Sequence, residues 1–124
     1  MSTSVPTLYR WSDMEAEQLN PLLTRQFISG EKCMLARIVL LAGCEVPRHE
    51  HANEQISYIL SGALEMTAYN PDGSTDVNVV HAGEVLVLPP NVPHSARAIE
   101  DTVNLDLFAP PRQDWIDKDD SYLR

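Results

Sequence analysis

From Thr24 onward, apolar and polar residues alternate in short runs broken by glycine and proline. The run "KCMLARIVLLAG" is rich in branched side chains and ends on Gly43, and "EQISYILSG" closes on Ser61 and Gly62. "ALEMTAYNPDGSTDVNVV" predicts two strands around Asn70–Gly73, where Pro71 and Gly73 occupy the places a type I turn favours. "GEVLVLPP" predicts a short strand halted by two prolines. "HSARAIEDTVNLDLFAPP" predicts two more that turn near Glu100 and Asp101. Many short strands at close spacing predict an all-β sandwich or barrel.

The ends read differently. "WSDMEAEQLNP" predicts a short helical turn capped by Ser12 or Asp13 and stopped by Pro21. "RQDWIDKDDSYLR" predicts a short helix or turn, with its charge run a solvated end. The expected organisation is a barrel over 24–115, an N-terminal extension over 1–23 and a C-terminal tail over 116–124.

Composition narrows the partners more than the fold. The 124 residues suit one domain with a core that needs no disulfide or metal staple. A formal net charge of -9 gives no general attraction to phosphate backbones or anionic lipid, so no nucleic acid and no membrane partner is expected. The longest apolar run is too short to cross a bilayer and carries Arg37. The opening residues lack the basic and apolar regions of a signal peptide, so the expected setting is cytoplasmic. Cys33 and Cys44 have neither metal nor redox spacing and are expected to be buried free thiols.

Candidate chemistry gathers on histidine. Residues two apart on a strand share a face, so His49 and His51 project together while Glu50 points away. After a short break the same alternation groups Gln55, Ser57 and Ile59. His94 follows "PPNVP" far along the chain. Three imidazoles and one oxygen donor suit a divalent transition metal. His81 precedes "AGE" and is expected in a turn, and Tyr58 belongs to the wall. Arg25 and Arg48 are expected to be solvated near the mouth.

The glycine and proline frame sharpens the histidine signal. Gly43, His49, His51, Gln55 and Gly62 are separated by five, one, three and six residues. Gly83, Pro89, Asn91 and His94 are separated by five, one and two. This double motif resembles that of the cupin superfamily, with Gln55 at the usual glutamate, Asn91 at a usual glycine and Ala98 at a usual asparagine. Asparagine, like glycine, tolerates a left-handed turn. The resemblance covers 25–115 and implies a jelly-roll β-barrel around a metal held by His49, His51, Gln55 and His94. The metal would be one divalent ion of nickel, zinc, manganese, iron or copper.

A narrower resemblance joins "HEHANEQISYILSG", "AGEVLVLPPNVPHS" and "LDLFAPPRQDW" to the KdgF-type pectin-degradation cupins. That group opens unsaturated 4-deoxy uronates to linear keto forms. Its D-x-F-x-P-x-R segment matches here at Asp106, Phe108 and Arg112, which implies catalysis by Asp106 and Arg112 and substrate contacts from Arg112 and Phe108.

The residues are chemically suited to these roles. "VNLDLF" alternates, so Asn104, Asp106 and Phe108 share one face. An aspartate on a buried face is a candidate general acid/base. Arg112 could grip a carboxylate in bidentate fashion. A neutral Gln55 would leave the metal close to its full double charge, favouring Lewis-acid action on an anionic substrate. It also departs from the two-histidine-one-carboxylate pattern of non-haem iron oxygenases. Two other classes remain open: a non-catalytic cupin that binds a small anionic ligand, and a metal-dependent dioxygenase or isomerase. An open sheet edge needs covering, so a homodimer is expected.

Overall fold

A computed structural model describes residues 5–124, and the first four residues of the expected N-terminal extension lie outside it. The described residues form β1 (Glu17–Asn20), β2 (Leu23–Ser29), β3 (Met34–Leu40), β4 (Glu45–His49) and β5 (Glu54–Ser61). There follow β6 (Ala63–Tyr69), β7 (Thr75–His81), β8 (Val85–Leu88), β9 (His94–Ala98), β10 (Thr102–Ala109) and α1 (Gln113–Ile116). Short 3-10 turns span Trp11–Asp13 and Ser121–Leu123.

The strands make two antiparallel sheets, ordered β1-β2-β3-β10-β5-β8 and β4-β9-β6-β7. This is the all-β jelly-roll arrangement expected. The turn between β6 and β7 closes with the amide of Gly73 donating to the Asn70 carbonyl at 3.0 Å. Gly62 joins β5 to β6 at φ +91, where an added Cβ would collide with the Asp101 carbonyl, so no other residue fits.

Alternation decides what each strand buries. In β10, Thr102, Asn104, Asp106 and Phe108 are buried while Leu107 is exposed. In β5 the buried set is Gln55, Ser57 and Ile59, and Tyr58 faces solvent. Register aligns these residues into rows on the inner face of the larger sheet. One row runs Phe108, Gln55, with Met34 on the other side; the next runs Ala36, Asp106, Ser57; the third runs Arg25, Ile38, Asn104, Ile59. Leu64, Met66 and Ala98 of the smaller sheet belong to the same core cluster. Each large apolar side chain buried there contributes about 1.5–3 kcal/mol.

Three expectations are corrected. The predicted helical turn shrinks to Trp11–Asp13 without a side-chain cap, and Glu17–Asn20 pairs with β2 instead. Pairing along that edge gives its backbone the partners a helix would have supplied. The tail is no solvated end: Asp120 is 0% and Leu123 7% exposed, and Asn20 Nδ2 donates to the Leu123 carbonyl at 2.8 Å. Cys44 is buried but Cys33 is exposed, because it lies between β2 and β3 and not on a strand.

Candidate metal centre

The backbone brings three histidines to one point. His49 ends β4 and pairs with His94, which opens β9. His51 lies beyond the strand, its carbonyl accepting from the Asn91 amide at 2.8 Å. Asn91 has φ 64, the left-handed conformation that its place in the motif requires. The ligand atoms of His49, His51 and His94 all lie within 4.8 Å of one another, so the triad could hold a metal ion. His81, at the end of β7, is exposed and takes no part.

The hydrogen bonds fix the imidazoles. Nδ1 of His49 faces the Pro47 carbonyl at 2.8 Å, that of His51 the Asn53 carbonyl at 3.0 Å, and that of His94 the Val92 carbonyl at 2.8 Å. A carbonyl only accepts, so each Nδ1 carries the hydrogen and donates. Burial lowers His49 and His51 to about 4, with Arg112 among the charges adding to the effect. Burial lowers His94 as well. At neutral pH all three rings are therefore neutral, with the Nε2 lone pair free. The Nε2 of His94 is buried without a hydrogen-bond partner among the described residues.

Gln55 lies beside the triad. Its Nε2 donates to Ser57 Oγ at 3.0 Å and to Asp106 Oδ1 at 3.2 Å. That orients the amide, leaving Oε1 3.1 Å from His51 Nε2. Both of those atoms are acceptors with no hydrogen between them. A cation resolves that opposition, and the neutral N/O donors fit a divalent transition metal. The carbonyl partners of Nδ1 are the outer contacts that orient metal-binding histidines.

Asp106 lies beside this group. Ser57 Oγ donates to its Oδ1 at 2.5 Å. Burial raises the carboxyl above the ordinary aspartate range, against the hydrogen bonds from Ser57, Asn104 and Gln55. His49, Gln55, His94, Asp106, Phe108 and Arg112 all line a cavity of about 60 Å³. Phe108 is buried, its ring edge-on to His51 at 5.7 Å and to Trp115 at 5.0 Å.

Arg112 is buried at the edge of this group. It does make a bidentate grip, but on Asp114, through Nε at 2.9 Å and Nη2 at 2.7 Å. Nη2 also donates to the Tyr122 hydroxyl at 2.8 Å. Asp114 is only two residues away, so the fork is filled locally.

Sequence reasoning passed over three residues. Tyr122 comes from the supposed solvated tail, yet its ring lies 4.8 Å from that of His49. Ser57, which alternation groups with Gln55 on the inward face, holds Asp106. Arg25, expected to be solvated, is 1% exposed. Its signal was present in the spacing of Leu23, Arg25 and Phe27, which puts a cation between apolar neighbours on an inward face. Arg48 does stay at the surface, over the Tyr69 ring at 4.4 Å.

Comparisons with known proteins agree with this fold. The Cupin domain family model matches residues 36–109. KdgF from Halomonas sp. superposes with a TM-score of 0.78 at 23% identity, over 88% of this chain and 99% of that one. An RmlC-like cupin from Shewanella frigidimarina NCIMB 400 gives 0.78 at 27% identity, over 90% and 96%. A 3-hydroxyanthranilate 3,4-dioxygenase from Bacillus thuringiensis (strain Al Hakam) is 26% identical over 98 residues, 79% of this chain. The chain spans about half, 55%, of that relative's length.

Proposed function

This chain belongs to the cupin domain family, and on that premise we propose a metal-dependent enzyme that isomerises a small carboxylated sugar, opening an unsaturated 4-deoxy uronate to its keto form. The observation that carries this reading is the bond from Gln55 Nε2 to Asp106 Oδ1 at 3.2 Å. One amide turns its oxygen toward the histidines and its N–H toward a carboxyl able to move a proton.

His49, His51, Gln55 and His94 would hold the ion. When bound, it supplies Lewis-acid polarisation of a substrate oxygen. The remaining chemistry belongs to the chain. Opening the ring takes a proton from the anomeric hydroxyl, breaks the ring C–O bond and delivers a proton to the enol carbon, so nothing is gained or lost overall. Asp106, raised by burial, exchanges those protons. Ser57 and Gln55 keep its Oδ1 in place. Phe108 and Arg112 wall the cavity. Loss of the substrate's enol-ether absorbance tests this with metal-loaded protein. A rate no faster than the spontaneous reaction would sink it.

The Bacillus relative favours a second reading, a metal-dependent dioxygenase. A neutral amide in place of the usual carboxylate weighs against it. Oxygen uptake in the presence of 3-hydroxyanthranilate separates the two. Binding of sugar acids without turnover of any kind would leave a ligand-binding cupin.

We also propose a homodimer. On the outer face of the larger sheet, Val87, Ile56, Leu107 and Leu35 are aligned in register beside Val85, Tyr58 and Leu105. Val85 and Val87 are 56% and 54% exposed, on the edge strand β8. A second copy related by a two-fold axis would cover this apolar patch and protect the edge.

A further inference from the structure

We infer that Arg25 is the group that holds the substrate's carboxylate, with Asn104 accepting a neighbouring hydroxyl. The ligand class rests on the proposed function; the site rests on its own geometry.

Arg25 lines the same cavity as the histidines. Only its Nη2 is engaged, by Asp120 at 2.7 Å and by Glu17 at 3.1 Å. Nε and Nη1 are buried and have no hydrogen-bond partner among the described residues. A guanidinium presents five N–H donors in a fixed fork, and leaving buried donors unmade is costly. The faces of Trp115 and Phe27, 4.5 Å and 5.4 Å from its central carbon, stabilise the charge but accept no in-plane hydrogen bond.

The complementary group lies in the same row. Asn104 is separated from Arg25 by Ile38 alone. Its Oδ1 is buried and unpartnered, and it too lines the cavity. Donors without acceptors on one side and an acceptor without a donor on the other fit a hydroxy-carboxylate, whose oxygens accept and whose hydroxyl donates.

Open donors decide between the two cavity arginines. Arg112 spends its fork on Asp114, whereas Arg25 keeps Nε and Nη1 open. Its ion pairs do not block those atoms, because both acids meet Nη2. Arg25 therefore sets specificity for acid over neutral sugar, and Asp120 anchors it from behind.

The probe is D-galacturonate against D-galactose, in the presence of zinc. Neither sugar has an enol ether to open, so failure of the ring-opening assay leaves this result intact, and the reverse also holds. By calorimetry the wild type should bind galacturonate at least ten-fold more tightly than galactose. Arg25→Lys keeps a cation for Asp120 but loses the fork, and should erase that preference. A readout on the unaltered protein guards against a variant that fails to fold. The Arg25 Nε–H nitrogen-15 resonance should move on adding galacturonate and not galactose, while that of Arg112, held by Asp114, stays still. An unmoved Arg25 resonance, a wild type without preference, or an Arg25→Lys protein that keeps the preference would each overturn the inference.

Discussion

Gln55 gives its amide hydrogen to Asp106 and turns its carbonyl oxygen to His51, so one side chain ties the buried carboxyl to the histidine cluster. A glutamate could not do both, since its carboxylate would oppose that of Asp106 at 3.2 Å. Gln55→Glu should retain metal, because a carboxylate also ligates. It should lower turnover at least ten-fold and move the acid limb of the pH–rate profile upward, as the added charge raises Asp106 further. An unchanged profile would show that the amide does not govern Asp106.

Asp106→Asn should separate stability from activity. Turnover should fall by about 10²–10⁴-fold if Asp106 carries the proton. Because its folded pKa is raised, the native state holds a proton that the unfolded chain releases, and wild-type stability falls as pH climbs through that range. The melting temperature of the metal-free variant should exceed that of wild type by a margin that grows as pH rises above the ordinary aspartate range.

The histidines act in the opposite direction. His49 and His51 fall from 6.5 to about 4 on folding, chiefly through burial. Between those values the unfolded chain binds protons that the native state refuses. Their contribution is fully present above pH 6.5 and is lost as pH falls toward 4. Metal-free protein should lose roughly 5–15 °C in melting temperature between pH 7 and pH 4.5, flattened in a His49→Ala/His51→Ala double variant.

Metal stoichiometry checks the centre directly. Native mass spectrometry should find one divalent ion per chain, and His94→Ala should abolish it. A chelator should lower the melting temperature of the wild type and leave that of His94→Ala unmoved.

The proposed dimer is open to light scattering. Wild type should run at twice the chain mass, and Val87→Asp on the outer face should run at the chain mass with its metal retained.

The inward faces of this centre were legible from alternation, and its histidines from the resemblance of their glycine frame to the cupin motif. Asn104, Asp106 and Phe108 share a face because β strands have a period of two, and Gly43, Gly62, Gly83 and Asn91 all adopt positive φ. Alternation paired His49 with His51, and the resemblance added His94. Residues that depend on contacts between distant parts of the chain were not legible. Asp120 is buried because Arg25, 95 positions earlier, is inside the barrel to meet it. A stretch of acids and a tyrosine carries no period that announces such a return. Breaking that buried pair on one side would cost about 3–5 kcal/mol, which is why the tail does not float free. Cys33 misled for the converse reason, since local apolar composition says little about a loop.

The chain contains two tryptophans, and their placement gives the protein an optical gauge of its own. Trp11 sits in the N-terminal 3-10 turn. Trp115 lies 4.5 Å and 4.6 Å from the central carbons of Arg25 and Arg112, and its indole N–H donates to the Tyr122 hydroxyl at 3.1 Å. In a Trp11→Phe background every emitted indole photon comes from between the two guanidiniums. Filling of the cavity, its charge and the seating of the chain's last turn could then be followed in real time by fluorescence, with no label and no coupled assay.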